Sequence, residues 1–415
     1  QLAALPLPPT ALEPVTADAA LVALGEALFF DPLLSGNKDV ACASCHHPAF
    51  GTSDGLSLSL GVGAVGRGPA RGDGDHPPFI ARHATSLFNL GDPMVATLFW
   101  DGRIALGPDG LSTPAGLDPV PGVTTPLAAQ ALFPLLDRAE MRGQPGDLAV
   151  DGSPNELAAL PDDDPQAIWA GIMARLQAVP AYEPLLIAAA PGLAQDDRRI
   201  DLVANAIGAY QAVTYSFTDT PWDRWLRGDA SALGDDSKLG ARLFFGAAGC
   251  GECHSGALLS DEEFHGTAVP QLGPGTPDAA PFDFGREHTS GDPAHRFQFR
   301  TPPLRNVALS PPYMHDGSLP DLQTVVRHYG EPRATVQDYD PSWLHPDLVD
   351  TVQLDPEHVA ALLAALDPAI PLDDEGGLLV GLSNLRAFLL ALTDPAAVDL
   401  AATVPASVPS GLPVP

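Results

Sequence analysis

Cysteine and positive charge are what this chain has least of. Four cysteines serve 415 residues, and 21 Lys and Arg face 52 Asp and Glu, giving a formal net charge of −31. A surface that acidic repels phosphate backbones, which argues against nucleic acid as a partner. Two readings remain, a well-solvated secreted protein or a docking face for a basic partner. No run of about 18 or more apolar residues occurs, so no membrane-spanning helix is expected. The N-terminal stretch has no basic segment followed by an apolar one, so no signal peptide is read there. A start at Gln1 in "QLAALPLPPT" reads as a processed product.

Proline (45) and glycine (40) are abundant instead, and they cluster. Residues 106–126 and 143–165 read as long surface loops, functional or disordered. The end, "DPAAVDLAATVPASVPSGLPVP" (394–415), reads as an extended strap over the surface or a loose tail. Strand-like alternation is scarce. Apolar residues recur at three and four in "PQAIWAGIMARLQAV" (165–179) and "RIDLVANAIGAYQAVTYSF" (199–217), and again in "EHVAALLAALDP" and "EGGLLVGLSNLRAFLLALTDP". The fold class is mainly α.

All four cysteines fall in two copies of Cys-x-x-Cys-His, "CASCH" (42–46) and "CGECH" (250–254). Each copy follows Leu-Gly-x-x-Leu-Phe-Phe, in "ALGEALFF" (23–30) and "KLGARLFF" (238–245), so two related domains are expected. A zinc ribbon wants its cysteine pairs about 15–20 residues apart, and these are separated by about half the chain. A thioredoxin-type pair does not require the His, and disulfides do not require the spacing twice. Two thiols one helical turn apart can add to the vinyl groups of haem, and the adjacent imidazole can ligate the iron. The expectation is two covalently attached c-type haems on Cys42, Cys45, Cys250 and Cys253, with His46 and His254 as proximal iron ligands. In bacteria these thioethers are made outside the cytoplasmic membrane, so a periplasmic location is expected.

Other landmarks stand in order along residues 20–395: "SGNKDVACASCH", "RHATSLFN" (82–89), "LFWDGR" (98–103), "AEM" (139–141), "GCGECH", "RTPPLRNVALSPPYMHDGSL" (300–319) and "VVRHYG" (325–330). With these the chain resembles the bacterial di-haem cytochrome c peroxidase and MauG superfamily. The resemblance implies two cytochrome-c-like haem domains with long Gly/Pro-rich loops. Residues 1–215 would form the N-terminal, peroxide-reactive domain, 216–395 the C-terminal electron-transfer domain, and 396–415 a Pro-rich tail.

The same resemblance implies site residues. Trp100 would lie between the haems as a stepping stone; taken alone it reads as a filler beside Phe99. Glu140 would carry the proton during peroxide cleavage, accompanied by Gln130; taken alone Glu140 is a solvated charge beside Arg138 and Arg142. His76, in a Gly-rich loop, corresponds to a distal ligand of some peroxidases, or is a plain exposed turn residue. His47 reads as a surface neighbour of the proximal ligand. On the second haem, peroxidases that take up electrons from a cytochrome use a Met and MauG a Tyr. The corresponding residue here is Tyr329, with Met314 and His328 as competitors. Arg305 would pair with a haem propionate or be a surface Arg. The family also carries a calcium ion between its domains. Its two backbone-carbonyl positions map to Ser310 and Pro312, whereas its Asn position holds His83, a poor calcium ligand, with Asn89 as a substitute.

The expected function is MauG-like. Hydrogen peroxide would generate a high-valent state shared by both haems, which would oxidise a side chain of a partner protein docked on the loops 106–126 and 143–165. The family includes enzymes that oxidise tryptophan in a partner, one of them associated with copper-binding proteins. The alternative is a cytochrome c peroxidase reducing peroxide to water with electrons from a small cytochrome or copper protein. A non-catalytic electron carrier would need a strong sixth ligand on both irons.

Overall fold

The computed structural model describes residues 12–72, 77–118, 120–123, 125–370 and 381–415. Helices dominate, and both Leu-Gly-x-x-Leu-Phe-Phe passages are helical, in Ala19–Phe30 and Asp235–Phe244. Asp18 starts the first of them, its carboxylate accepting the backbone N–H groups of Ala20 and Leu21. In each, the glycine marks the point where another helix crosses. A Cβ on Gly25 would sit 1.9 Å from the carbonyl oxygen of Ala206, in helix Ile200–Thr214. A Cβ on Gly240 would sit 1.9 Å from that of Asn384, in helix Leu382–Leu390. Only a residue without Cβ allows backbones this close, so the repeated glycine is one packing requirement met twice.

An apolar cluster grows around each crossing. The first gathers Leu24, Leu28, Phe29, Trp169, Tyr182 and Tyr210. The second gathers Trp222, Phe244, Leu259, Phe388 and Leu392. Burying each such side chain fully contributes about 1.5–3 kcal/mol, so the two clusters are the main driving force. The expected helices are present as Pro165–Gln177, Ile200–Thr214 and Pro356–Ala364, while the last begins at Leu382 within the described residues. None of the described helices is long and apolar enough to cross a membrane.

One expectation changes. Residues 106–126 are not simply loop, because much of this stretch belongs to an antiparallel meander. It runs β1 Thr97–Leu98, β2 Ile104–Gly107, β3 Gly110–Thr113 and β4 Gly116–Leu117. Gly107 pairs with Gly110 across a two-residue turn, and Gly110 takes φ +118°, a conformation that suits glycine. The segment 143–165 stays irregular up to helix Pro165–Gln177, apart from an isolated bridge between Leu148 and Pro154. A two-stranded ribbon, β5 Phe264–Gly266 with β6 Gln298–Arg300, lies in the second half.

The end of the chain is a packed strap, not a loose tail. Its first residue, Asp394, is tied to the second half through a hydrogen bond from its N–H to Asn306. The strap then returns to the first half, where Ala397, Leu400 and Val408 join the apolar cluster. The backbone N–H and hydroxyl of Ser410 bond the buried Asp31 carboxylate at 3.1 and 2.6 Å, and that carboxylate also accepts the Tyr182 hydroxyl at 2.7 Å.

Candidate functional site

The two Cys-x-x-Cys-His units share one local geometry. The His46 N–H bonds the Cys42 carbonyl at 2.9 Å, and the His254 N–H bonds that of Cys250 at 2.8 Å. The ring Nδ1 of His46 lies 3.2 Å from the Thr52 carbonyl oxygen, and that of His254 lies 3.0 Å from Leu259. A carbonyl accepts only, so each Nδ1 carries the proton and each Nε2 keeps its lone pair. Burial lowers both imidazole pKa values, which keeps the rings neutral. This tautomer, held by an outer hydrogen bond, is what an iron ligand needs. Burial pushes Cys42 and Cys250 up to about 12, and Cys45 up to about 11. Thiol exchange runs through thiolates, so these thiols do not suit a thioredoxin-type pair. The donor set fits haem: two apolar-pocket thiols and a neutral imidazole with a free Nε2.

Around the second unit lies a cavity of about 1740 Å³ of atom-free space, partly open to solvent. Its wall brings together Cys250, Cys253, His254, Tyr329, Arg305 and Trp100, residues spread over more than half the chain. Ser310, Pro312 and Met314 also line it. Tyr329 sits on helix Leu322–Gly330, which Asp321 caps through the Thr324 N–H. Burial, together with the Cys250 and Cys253 thiols, holds its phenol above the usual range. His328 is directed elsewhere, its Nε2 bonded to the Thr267 carbonyl at 2.7 Å. Arg305 is no surface residue: it is 2% exposed. Its guanidinium pairs with buried Asp223 at 2.6 Å and its Nε–H bonds the Ala257 carbonyl, while Nη2 has no partner among the described residues. A buried guanidinium nitrogen left unpaired beside the cavity fits a ligand carboxylate there.

Around the first unit, Glu140 lies in a widened turn over Arg138–Arg142, with Asp137 accepting the Ala139 and Glu140 N–H groups. Wide turns of this kind recur at functional sites. Burial, then the neighbouring Asp137 carboxylate, pushes the Glu140 carboxyl up to about 7, against a downward pull from Arg103 and Arg82. Glu140 is therefore not an ordinary solvated charge. It is close enough to Cys45 to raise that thiol further, as does Asp54, while Arg71 opposes both. Gln130 ends the helix Pro126–Gln130, half-buried, and makes no hydrogen bond to Glu140.

Trp100 connects the two regions. Its indole N–H donates to the His83 carbonyl at 3.0 Å, and its side chain faces the second cavity. The His83 ring reaches Ser53 Oγ at 3.5 Å, next to Thr52, whose carbonyl holds the His46 ring. His47 is buried, against the surface reading, because the turn through Gly51 (φ +65°) folds Ser53 back onto it. His76 lies outside the described residues.

Sequence reasoning missed several partners. Arg71 places Nη1 3.5 Å from Cys45 Sγ. Arg82 sits between Asp101 at 2.7 Å and Asp283 at 2.6 Å. His265 bridges Asp261 at 3.0 Å and Asp367 at 2.7 Å, and Asp261, then the Cys253 thiol, then Asp367 raise it to about 11. Only Arg82 had a signal, its place in the "RHATSLFN" landmark.

Comparison with known proteins bears on the family and the fold. Residues 19–231 match the family model described as di-haem cytochrome c peroxidase. The methylamine utilization protein MauG of Methylorubrum extorquens is 33% identical over 321 residues, covering 76% of this chain and 70% of that protein. The cytochrome-c peroxidase IdrP2 of Denitromonas iodatirespirans is 31% identical, covering 76% and 74%. A crystal structure of a MauG-like protein associated with microbial copper homeostasis superposes with a TM-score of 0.63 at 25% identity, covering 94% and 96%.

Proposed function

The chain belongs to the di-haem cytochrome c peroxidase family, which includes MauG, and from that premise we propose that it uses hydrogen peroxide to oxidise a side chain of a partner protein. It is a haem-dependent oxidoreductase. We read it as periplasmic, with each haem joined covalently through its cysteine pair. The observation that carries the reading is Tyr329 on the same cavity wall as Cys250, Cys253 and His254. A phenolate is a hard anionic donor that favours oxidised iron, which suits a store of oxidising equivalents better than an acceptor of electrons.

When bound, the haems supply the redox-active iron at which peroxide is cleaved. Glu140 takes the proton from the inner peroxide oxygen and returns it to the outer one, which leaves as water. A carboxyl with a pKa near 7 is suited to both halves of that transfer at neutral pH. Gln130 would orient the peroxide. Arg305, held by Asp223, would bind a propionate of the second haem, and Trp100 would divide the electron path between the sites into two shorter steps. The partner would dock on the segments 106–126 and 143–165, where Leu106, Leu148 and Val150 are exposed.

A second reading has its own observation: Met314 lines the same cavity, and a thioether at iron would favour electron uptake from a small cytochrome or copper protein. One experiment separates the two. One equivalent of peroxide is added to the fully oxidised protein, and the visible and near-infrared spectra are followed. A rapid, long-lived change with a near-infrared band is expected. No reaction until one haem is reduced supports the cytochrome c peroxidase reading instead.

A further inference from the structure

The family's interdomain calcium does not fit the residues present here. His83 stands at the position expected of the Asn ligand. Its Nδ1 lies 2.9 Å from the Leu56 carbonyl oxygen and 3.3 Å from that of Ser57, so the ring N–H is shared between them. A hard cation binds through oxygen lone pairs. Here His83 presents a proton to two carbonyl oxygens where a calcium ligand would present an oxygen to the ion. Burial drives its pKa down to about 4, so the ring is neutral. Among the described residues, the one set of three His, Cys, Asp or Glu ligand atoms close together is Cys253, Asp261 and His265, which does not include it. Asn89, the substitute, donates its side-chain N–H to the Phe217 carbonyl at 3.0 Å, and its buried Oδ1 has no partner among the described residues, but Asn89 is not on the cavity wall that His83, Ser310 and Pro312 share.

His83 also joins three segments. Its ring holds the loop that follows the first Cys-x-x-Cys-His, through Leu56 and Ser57. Its backbone N–H bonds the His315 carbonyl of the second half at 2.8 Å, and its carbonyl accepts the Trp100 indole N–H. Charge at the junction is balanced from within, since the neighbouring Arg82 pairs with Asp101 of its own half and Asp283 of the other. We propose that His83 does by hydrogen bonding what an interdomain cation would do, so that this protein holds Trp100 between its two haem sites without calcium. His83 is a positioning residue, since it acts through Trp100 and the loop behind His46.

The test uses the holoprotein. After dialysis against EGTA, calcium is measured by atomic emission, and thermal unfolding is followed with and without millimolar calcium chloride. Calcium far below one equivalent per chain and an unchanged midpoint are expected. One retained equivalent, or a midpoint that falls in EGTA and recovers with calcium, overturns the proposal, and neither readout depends on peroxide activity. For the positioning role, electron exchange between the haems is timed after one-equivalent reduction. His83→Leu keeps the volume and removes the donor, and should slow exchange by about tenfold or more, since displacements near 1 Å can cost that much. His83→Gln keeps an N–H donor and should stay near wild type, which covers the case in which the Leu variant fails to fold. A His83→Leu protein with wild-type exchange, or a folded His83→Gln protein as slow as expected for Leu, removes the role.

Discussion

The Arg305 guanidinium and the Asp223 carboxylate meet 2.6 Å apart with both side chains fully buried. Asp223 is itself pinned, accepting the backbone N–H and hydroxyl of Thr220 at 3.0 and 2.6 Å at the start of helix Pro221–Leu226. Arginine and carboxylate thus form one unit, built to hold a cation at the cavity wall. Removing one partner strands a buried charge, at a cost of about 3–5 kcal/mol. Asp223→Ala should lose that much in denaturant unfolding, and adding Arg305→Met should restore part of it. An Asp223→Ala protein as stable as wild type would mean that water or another group reaches the guanidinium.

Glu140→Gln should slow peroxide consumption by about 10²–10⁴-fold, the usual contribution of a positioned acid–base group. The carboxylate is the proton acceptor, so the wild-type rate should rise as pH passes through about 7, and the variant's profile should be flat across that window. Stability runs the other way. A carboxyl raised in the folded state favours its protonated form there, so the stability this provides is present below its ordinary pKa and is lost as pH rises through about 7. At pH 8 the Gln variant should therefore unfold at the higher temperature. Rates from pH 5 to 9 and melting curves at both ends check the pair.

Tyr329→Met replaces a hard oxygen donor with a thioether. The midpoint potential of the second haem should rise, and its reduction by a small cytochrome should become faster. Tyr329→Phe removes the donor outright and should change the same haem's spectrum. Potentials that stay fixed in both variants would take Tyr329 off the iron and leave Met314 as the candidate.

Gly25→Ala and Gly240→Ala each drive a methyl group into a carbonyl oxygen of the crossing helix. Each should cost at least about 1–3 kcal/mol, the usual penalty of overpacking. Gly107→Ala meets nothing within 4 Å and should stay within about 0.5 kcal/mol of wild type. Urea unfolding midpoints of the three variants check the contrast.

What the sequence made legible was whatever is written in a few consecutive residues. Cys-x-x-Cys-His folds into the same short turn twice, and a glycine four residues before Phe29 and Phe244 reports a close helix crossing before any partner is known. The landmarks that carry Tyr329 and Trp100 pointed to residues that share one cavity wall. The carboxylates that hold Arg82 and Arg305 were not legible, because Asp283 and Asp223 lie far from them in the chain and no local pattern joins them. Solvation was misjudged by residue type. Arg305 is buried against distant segments, His47 by the turn that folds Ser53 back onto it, and Glu140 is half-buried with a raised pKa. The hairpin at Gly107–Gly110 was hidden by its composition, which is that of a loop.

The returning strap makes the polypeptide a clasped ring. Ala397, Leu400 and Val408 finish the apolar cluster that Leu24 and Phe29 begin, so one core is closed by residues from opposite ends of the described segment. Without the strap, Asp31 would lose its Ser410 partner and apolar surface on the first half would meet water.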